Sequence, residues 1–252
     1  MRAWATPPKT NKRKKNRFRS SRADSPGCSG THIIIIMKEL EKYTAILWDF
    51  NGTLFNDVDA GIESVNVLLA SRGLPQIPDR EYYRSVFGFP VIDYYERLGF
   101  DFTKESFADV AVEWMKEYDR FSADSGLCRG AEELLRFFKE AGIPQYVISA
   151  TEKTMLDRQL RELGISGYFA ATYGLGDIHA GSKAAIAEGW RLEHPNDRAL
   201  FIGDTTHDAD VASLIGVDCV LCAAGHQSRK TLEACPGEVI GSLEDIIGKQ
   251  NR

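Results

Sequence analysis

Two acidic residues follow apolar runs of the sequence at points where a parallel sheet would expose them. The run Ala45–Trp48 is followed by Asp49, and the run that ends at Ile202 is followed by Gly203 and Asp204. In open α/β sheets, ligands bind just outside the carboxyl ends of the strands. Carboxylate oxygens suit Mg²⁺, a hard cation, and a carboxylate can also act as a nucleophile that forms an aspartyl phosphate.

Groups that could bind phosphate follow two other apolar runs. Ser149, Ala150 and Thr151 stand at the predicted mouth of a helix, where free N–H groups and the helix dipole favour an anion. Lys183 follows a glycine-rich loop and could offset charge in a transition state. Each residue alone has a plainer explanation, because Asp and Ser often cap helices and lysines are often solvated. The evidence for phosphoryl transfer is the ordered set.

The elements that would position these residues alternate along the chain. Strands at 145–149, 169–173, 198–202 and 219–223 alternate with helices at 130–141, 152–163, 182–192 and 208–214, and a last helix, strand and helix lie around Leu232, Val239 and Ile246–Ile247. Strands that alternate with helices predict right-handed crossovers and a parallel sheet. The predicted fold class is therefore α/β, a doubly wound parallel sheet with a Rossmann-like core.

A helical insertion interrupts this alternation after the first strand. Apolar residues recur at helical spacing over 62–69, and helices are also predicted at 79–87, 90–98 and 104–121, with no strand pattern among them. We predict a core made of residues 37–58 and 126–252 and an all-helical domain at 59–125.

The charge of the chain is divided unevenly. The 252 residues carry a net charge of −5, but residues 1–36 hold nine Lys and Arg and one Asp, which leaves the rest at −13. So acidic a body is a poor nucleic-acid binder, because phosphate contacts need clustered basic residues. Residues 1–36 have almost no apolar periodicity, and we predict a disordered basic extension. The alternative is a nucleic-acid or localisation patch.

Cysteine usage and hydropathy indicate the compartment. The five cysteines are scattered and odd in number, which argues against a disulfide framework and for a reducing environment. No apolar run approaches the roughly 20 residues that a membrane span needs. We therefore expect a cytoplasmic protein that binds neither membrane nor nucleic acid.

The ordered motifs resemble those of the haloacid dehalogenase-like hydrolase superfamily. The resemblance is carried by DFNGTL at 49–54, VISAT at 147–151, Lys183 and GDTTHD at 203–208, and it covers the chain from Met37 onwards. The helical insertion is similar to the C1-type cap of the phosphoglycolate phosphatase-like subgroup, as is the segment 225–228. The resemblance implies a Mg²⁺-dependent phosphatase that hydrolyses a small phosphorylated metabolite through an aspartyl phosphate.

The resemblance also implies roles for individual residues. Asp49 would be the nucleophile, with Asn51 and Lys183 also at the catalytic centre. Mg²⁺ would be bound by Asp49, the backbone carbonyl of Asn51 and Asp204, with support from Asp208. Phosphate would be bound by Ser149, Ala150, Lys183 and Thr53. The cap loop Phe87-Gly88-Phe89 would face the phosphate pocket and select the substrate, although packing against helices explains it equally well.

Asn51 departs from the family pattern. Hydrolases of this family usually have a second aspartate there, which protonates the leaving oxygen and later activates water. A carboxamide cannot exchange that proton, and loss of general acid–base help typically costs about 10²–10⁴-fold in rate. Two alternatives therefore stay open: a catalytically weak phosphate-binding or regulatory homologue, or a hydrolase limited to activated acyl or aryl phosphates.

Overall fold

The computed structural model describes residues 40, 42–176 and 182–247, so the predicted basic extension at 1–36 lies outside the described residues. Six strands form one sheet in which every neighbouring pair is parallel. In chain order they are β1 Ala45–Trp48, β2 Gln145–Glu152, β3 Ala171–Leu175, β4 Ala199–Gly203, β5 Asp218–Cys222 and β6 Glu238–Ile240. Their spatial order is β3-β2-β1-β4-β5-β6. The predicted doubly wound parallel sheet is confirmed.

Helices connect these strands. Those described are α1 Val58–Ser71, α2 Arg80–Val86, α3 Val91–Arg97, α4 Phe107–Ser122, α5 Ala131–Glu140, α6 Lys153–Glu162, α7 Lys183–Glu193, α8 Thr206–Ile215, α9 Arg229–Leu232 and α10 Glu244–Ile247. None of the helices in the described part of the chain is long and apolar enough to span a membrane.

Helices cover the sheet on both faces, and β1 shows how. All four of its residues are buried, and successive side chains point to opposite faces. Trp48 packs with Phe138 of α5 on one face, whereas Leu47 packs with Trp190 of α7 on the other. A strand buried on both faces has a continuous apolar sequence, which explains the run that precedes Asp49.

The helices α1–α4 follow β1 with no strand between them and share an apolar cluster of their own. Val65 and Leu69 of α1, Tyr95 of α3 and Val110 of α4 are buried members of it. The predicted helical insertion is therefore present, and its own core allows it to pack as a unit against the carboxyl edge of the sheet.

Several predicted boundaries were wrong by one to three residues; α4, for example, begins at Phe107 and not at residue 104. Strand β3 begins at Ala171 and not at Phe169, because Ser166–Tyr168 form a 3₁₀ turn that ends at Phe169. Strand β2 continues to Glu152, with an irregularity in its pairing after Ile148, so that α6 begins only at Lys153.

Candidate active site

The carboxyl ends of β1 and β4 meet at the centre of the sheet. The chain leaves β1 towards β2 and β3, and later returns on the other side of β1 with β4. Trp48 pairs with Ile202, and the Asp49 N–H donates to the Ile202 carbonyl at 2.9 Å. This reversal of strand order is where open α/β sheets bind ligands. It brings Asp49 and Asp204 onto neighbouring strand ends.

Three buried carboxylates converge at this point. One carboxylate oxygen each from Asp49, Asp204 and Asp208 lies within 4.8 Å of the others. Asp208 is in the first turn of α8, where its Oδ2 accepts from the Thr205 N–H at 2.9 Å and the Thr205 hydroxyl at 2.7 Å. This capping interaction holds one oxygen of Asp208 and leaves the other to face the cluster.

Lys183 is the cation of the cluster. It is the first residue of α7, is buried, and its Nζ donates to Asp49 and to Asp208 Oδ1, the latter at 2.5 Å. Burial alone would lower the pKa of Lys183, but the two carboxylates outweigh it and raise that pKa. Lys183 is therefore a fixed ammonium between two of the three acids.

The cluster holds more negative charge than Lys183 neutralises. Burial raises the pKa of Asp49 to about 6; Lys183 opposes this shift and Asp208 adds to it. Burial, together with the charges of Asp49 and Asp208, raises the pKa of Asp204 well above its usual range. The pKa of Asp208, in contrast, is lowered, because Lys183 and Thr205 outweigh the effect of burial. Protein groups therefore compensate the charges of Asp49 and Asp204 less well than that of Asp208. Oxygen ligands with unneutralised charge fit a hard divalent cation.

Two glycines allow the chain to close tightly around Asp204. A Cβ at Gly52, where φ is +71°, would overlap Asp204 Oδ2, and one at Gly225 would overlap the same atom. Such close approach of backbone requires glycine at both positions. Asp204 Oδ2 accepts from the His226 N–H at 2.6 Å, and Oδ1 accepts from the Thr53 hydroxyl at 3.3 Å. Thr53, predicted to bind phosphate, thus contacts the carboxylate cluster.

Ser149 lies within β2, two residues beyond Val147, the last residue of β2 that pairs with β1. Ser149 is buried, its Oγ accepts from the Thr151 N–H at 3.0 Å, and its neighbour Ala150 is exposed. The expected free N–H groups of the following helix are not available, since the Glu152 carboxylate accepts from Thr154 N–H at 2.9 Å and Met155 N–H at 3.0 Å. An anion at Ser149 and Ala150 would therefore be bound by strand-end groups and not by the helix terminus.

Comparison with known proteins gives the family. The haloacid dehalogenase-like hydrolase model matches residues 46–222, more than half of the chain. The chain belongs to the haloacid dehalogenase-like hydrolases. The prediction of the family, and with it that of a hydrolase enzyme, is confirmed.

Individual relatives are similar over most of this chain. It is 26% identical to a tyrosine-protein kinase, PtkA, of Mycobacterium tuberculosis (81% of this chain), and it spans 66% of that protein's length. It is 26% identical to a phosphoglycolate phosphatase of Pseudomonas savastanoi (80% of this chain, 78% of the relative) and 29% identical to a 5'-nucleotidase of Pseudomonas aeruginosa (77% and 88%). A haloacid dehalogenase-like hydrolase from Streptococcus pneumoniae has the same fold, with a TM-score of 0.69, 20% identity, and 81% and 97% of the two chains covered.

Asn51 stands where hydrolases of this family usually have a second aspartate. Both the oxygen and the nitrogen of its carboxamide are hydrogen-bonded. Asn51 Oδ1 accepts from the Thr151 hydroxyl at 2.7 Å. Its Nδ2 donates to Asp57 Oδ2 at 2.9 Å and to the Tyr118 hydroxyl at 2.7 Å. The carboxamide is therefore a fixed bridge between β2, the loop after β1 and helix α4. Its side chain is not among the three carboxylates, so any metal contact of Asn51 would be through its backbone.

Sequence reasoning missed a buried ion pair beside Asn51. His226 Nε2 donates to Asp57 Oδ1 at 3.2 Å, and its Nδ1 lies 2.8 Å from the Tyr83 hydroxyl. Burial by itself would raise the pKa of Asp57 and lower that of His226. The attraction between the two outweighs it, so that the pKa of Asp57 is lowered and that of His226 is raised to about 9. The Gly-His-Gln-Ser segment was the one sequence signal that pointed here.

The predicted substrate-selecting loop lies against the core. The ring centroids of Phe87 and His226 are 5.4 Å apart, and those of Phe89 and His207 are 5.1 Å apart. A Cβ at Gly88 would lie 3.3 Å from the Arg97 guanidinium, so the turn is closely packed. Through the Phe89 ring, the insertion thus contacts His207 of the GDTTHD motif, next to Asp208 of the carboxylate cluster.

Proposed function

We propose that this hydrolase is a Mg²⁺-dependent phosphatase that acts on a small phosphorylated metabolite through an aspartyl phosphate on Asp49. The observation that carries the proposal is the buried cluster of Asp49, Asp204 and Asp208 around Lys183, at the switch point of the sheet. Relatives named phosphoglycolate phosphatase and 5'-nucleotidase support a small phosphate ester as substrate. The scattered cysteines support a cytoplasmic location.

In the proposed reaction, an Asp49 oxygen attacks phosphorus and the bond from phosphorus to the ester oxygen breaks. Water then attacks the same phosphorus, which releases inorganic phosphate and restores the Asp49 carboxylate. Mg²⁺, held by Asp49, Asp204 and the backbone carbonyl of Asn51 with Asp208 in support, would neutralise charge on the phosphoryl oxygens. Lys183 holds Asp49 and adds positive charge, while Ser149, Ala150 and Thr53 would contact phosphate oxygens.

A narrower substrate class is the second candidate, and Asn51 favours it. Both ends of its carboxamide are occupied by Thr151, Asp57 and Tyr118, and the group has no exchangeable acid proton for a leaving alkoxide. Acyl and aryl phosphates have leaving groups stable enough to depart without one. In this case turnover would be restricted to activated phosphates, and alkyl phosphates would only bind.

The test measures phosphate release with Mg²⁺ from phosphoglycolate, nucleoside 5'-monophosphates, an aryl phosphate and acetyl phosphate, with Asp49→Asn as the inactive control. Turnover of alkyl esters that Asp49→Asn abolishes would support the phosphatase, whereas release from only the aryl and acyl compounds would support the second candidate. No release from any of them would contradict both. Adding ATP with tyrosine peptides tests the transfer that the name of the mycobacterial relative implies.

Metal binding is tested separately by thermal shift after chelation. Mg²⁺ at ten times its Kd should stabilise the protein by about 1.4 kcal/mol. Asp204→Asn should abolish the shift. Asp210→Asn is the matched control, because Asp210 is exposed on α8, the helix that follows Asp204. This variant should keep the Mg²⁺-induced shift. An equal shift in both variants would remove Asp204 from the proposed metal site.

A further inference from the structure

The Asp57 carboxylate is buried and accepts four hydrogen bonds, two on each oxygen. Oδ1 accepts from the Gly52 N–H at 2.7 Å and from His226 Nε2 at 3.2 Å. Oδ2 accepts from Asn51 Nδ2 at 2.9 Å and from the Tyr118 hydroxyl at 2.6 Å. These four donors fill the usual acceptor sites of a carboxylate. Asp57 therefore connects the loop after Asp49 to helix α4 and to His226, whose backbone N–H donates to Asp204.

Asp57 also determines which way the Asn51 carboxamide points. An ionised carboxylate only accepts hydrogen bonds, so the atom of Asn51 that faces Asp57 has to be the amide nitrogen. The carbonyl oxygen then faces Thr151, whose hydroxyl donates to it at 2.7 Å. An aspartate at position 51 would instead place an oxygen about where Nδ2 lies, 2.9 Å from Asp57 Oδ2. Two carboxylates so close cannot both stay ionised without cost.

We propose that Asn51 and Asp57 form an exchanged pair, in which Asp57 carries the buried carboxylate and acts as a positioning residue for phosphoryl transfer at Asp49. The inference rests on the proposed function. It also explains position 51: a carboxamide stands there because a carboxylate already stands beside it. The pair can in principle be exchanged, since the double change Asn51→Asp/Asp57→Asn would keep one charge and one hydrogen bond between the two positions.

If the proposal is correct, Asn51→Asp alone should not restore general acid–base catalysis. We expect that variant to show no gain in kcat on an alkyl phosphate, since its new carboxylate faces Asp57. Asp57→Asn alone should lower kcat about tenfold with KM within about threefold, as expected of a group that positions the reacting loop. The double variant Asn51→Asp/Asp57→Asn should exceed Asn51→Asp by about tenfold in kcat. Since Asp57→Asn alone lowers kcat about tenfold, this is a coupling of about 100-fold, within the range of contacting residues.

Asn56→Asp is the matched control, because it makes the same chemical change at an exposed position of the same loop. It should leave kcat unchanged and should show no coupling to Asp57→Asn. Tyr118→Phe removes one donor to Asp57 Oδ2 and should lower kcat less than Asp57→Asn does. Equal coupling of Asp57→Asn to positions 51 and 56 would overturn the proposal, because charge alone, and not contact, would explain it.

Thermal denaturation in chelator keeps the test independent of turnover. Asn51→Asp should lower Tm, and the double variant should recover part of the loss even if the single variant fails to fold. The proposal is overturned if Asn51→Asp matches or exceeds the double variant in both Tm and kcat. If wild type releases no phosphate from any substrate, the proposed function fails. The Tm values of wild type, the two single variants and the double variant still decide whether the two residues are an exchanged pair.

Discussion

At the scale of single residues, the site depends on charge compensation in a buried place. Lys183 contacts Asp49 and Asp208 directly, whereas Asp204 has only a backbone N–H and a hydroxyl as described partners. Removal of one partner from a buried ion pair is costly because the other charge stays uncompensated. We therefore expect Lys183 to contribute both to the stability of the fold and to catalysis.

We expect Lys183→Met to lower kcat/KM about 10²–10³-fold, the usual effect of losing one preorganised charge-stabilising donor. It should also lower the free energy of unfolding of the metal-free protein by about 3 kcal/mol, since Asp49 and Asp208 would face each other without a cation. Kinetics and chemical denaturation measure the two effects. Lys153→Met is the control, because Lys153 also pairs with an aspartate but is partly exposed at the start of α6. Equal losses in both variants would contradict the role of Lys183.

The buried pair of His226 and Asp57 makes a prediction about pH. The pKa of His226 rises from 6.5 to about 9 in the fold, so its contribution to stability is complete below pH 6.5 and is lost as pH rises through 9. In chelator, wild type should exceed His226→Gln by about 3 kcal/mol at pH 6, and the difference should shrink towards pH 10. In an Asp57→Asn background this decrease with pH should be much smaller, because Asp57 raises the pKa of His226 more than Asp204 or Asp49 does. A constant difference in both backgrounds would show that the imidazole is uncharged.

At the scale of elements, the strand ends and their turns set the geometry. The capping turn of α8 orients Asp208, and the loops at Gly52 and Gly225 approach Asp204 from two sides. Neither glycine has room for a Cβ, so the loops and the carboxylate form one packed unit. A methyl group at Gly225 would therefore have to displace either the loop or Asp204.

Gly225→Ala should weaken Mg²⁺ binding at least about tenfold, because the new Cβ would overlap Asp204 Oδ2. Calorimetric titration of Mg²⁺ measures the change. Gly189→Ala is the control: this helical glycine has no atom within 4 Å of its Cβ position, and alanine there should stabilise α7 by up to about 1 kcal/mol. Unchanged Mg²⁺ affinity in Gly225→Ala would show that the loop yields without moving the carboxylate.

At the scale of the whole molecule, the helical insertion contacts the core over the site. Arg84 Nε donates to the Gly225 carbonyl at 2.8 Å, and the Arg158 guanidinium pairs with Asp119 at 2.5 Å. The aromatic rings of Phe87 and Phe89 contact histidines of the core. We propose that Phe87 and Phe89 select the substrate's leaving group, because their rings contact histidines next to the carboxylate cluster.

Phe89→Ala should change the kcat/KM ratio between phosphoglycolate and a nucleoside 5'-monophosphate by about tenfold or more, the range expected when a pocket contact is lost. Its effect on Mg²⁺ affinity should be negligible. Val112→Ala, at a position that is 71% exposed on α4, is the control and should alter neither. An unchanged ratio in Phe89→Ala would assign the ring to packing alone.

The sequence by itself predicted the family and the order of the strands along the chain, and it gave the candidate site residues after four of these strands. Local periodicity and turn residues suffice for the strands, because each strand end is predicted from its own neighbours, whereas the family was indicated by the resemblance of the four motifs. It also predicted that Asn51 departs from the family pattern. Its weakest points were local boundaries, such as the end of β2, where pairing with β3 extends the strand and removes the expected helix terminus.

Only the tertiary structure decided what Asn51 does. Its partners Tyr118 and Thr151 are 67 and 100 residues away, and the partner of Asp57, His226, is 169 residues away. No periodicity or motif specifies hydrogen bonds over such separations, because they depend on how α4, β2 and the last loop pack together. In the sequence, Asn51 is an isolated departure from the family pattern. In the fold, Asn51 is hydrogen-bonded to Asp57, and we propose that the two residues act as a pair.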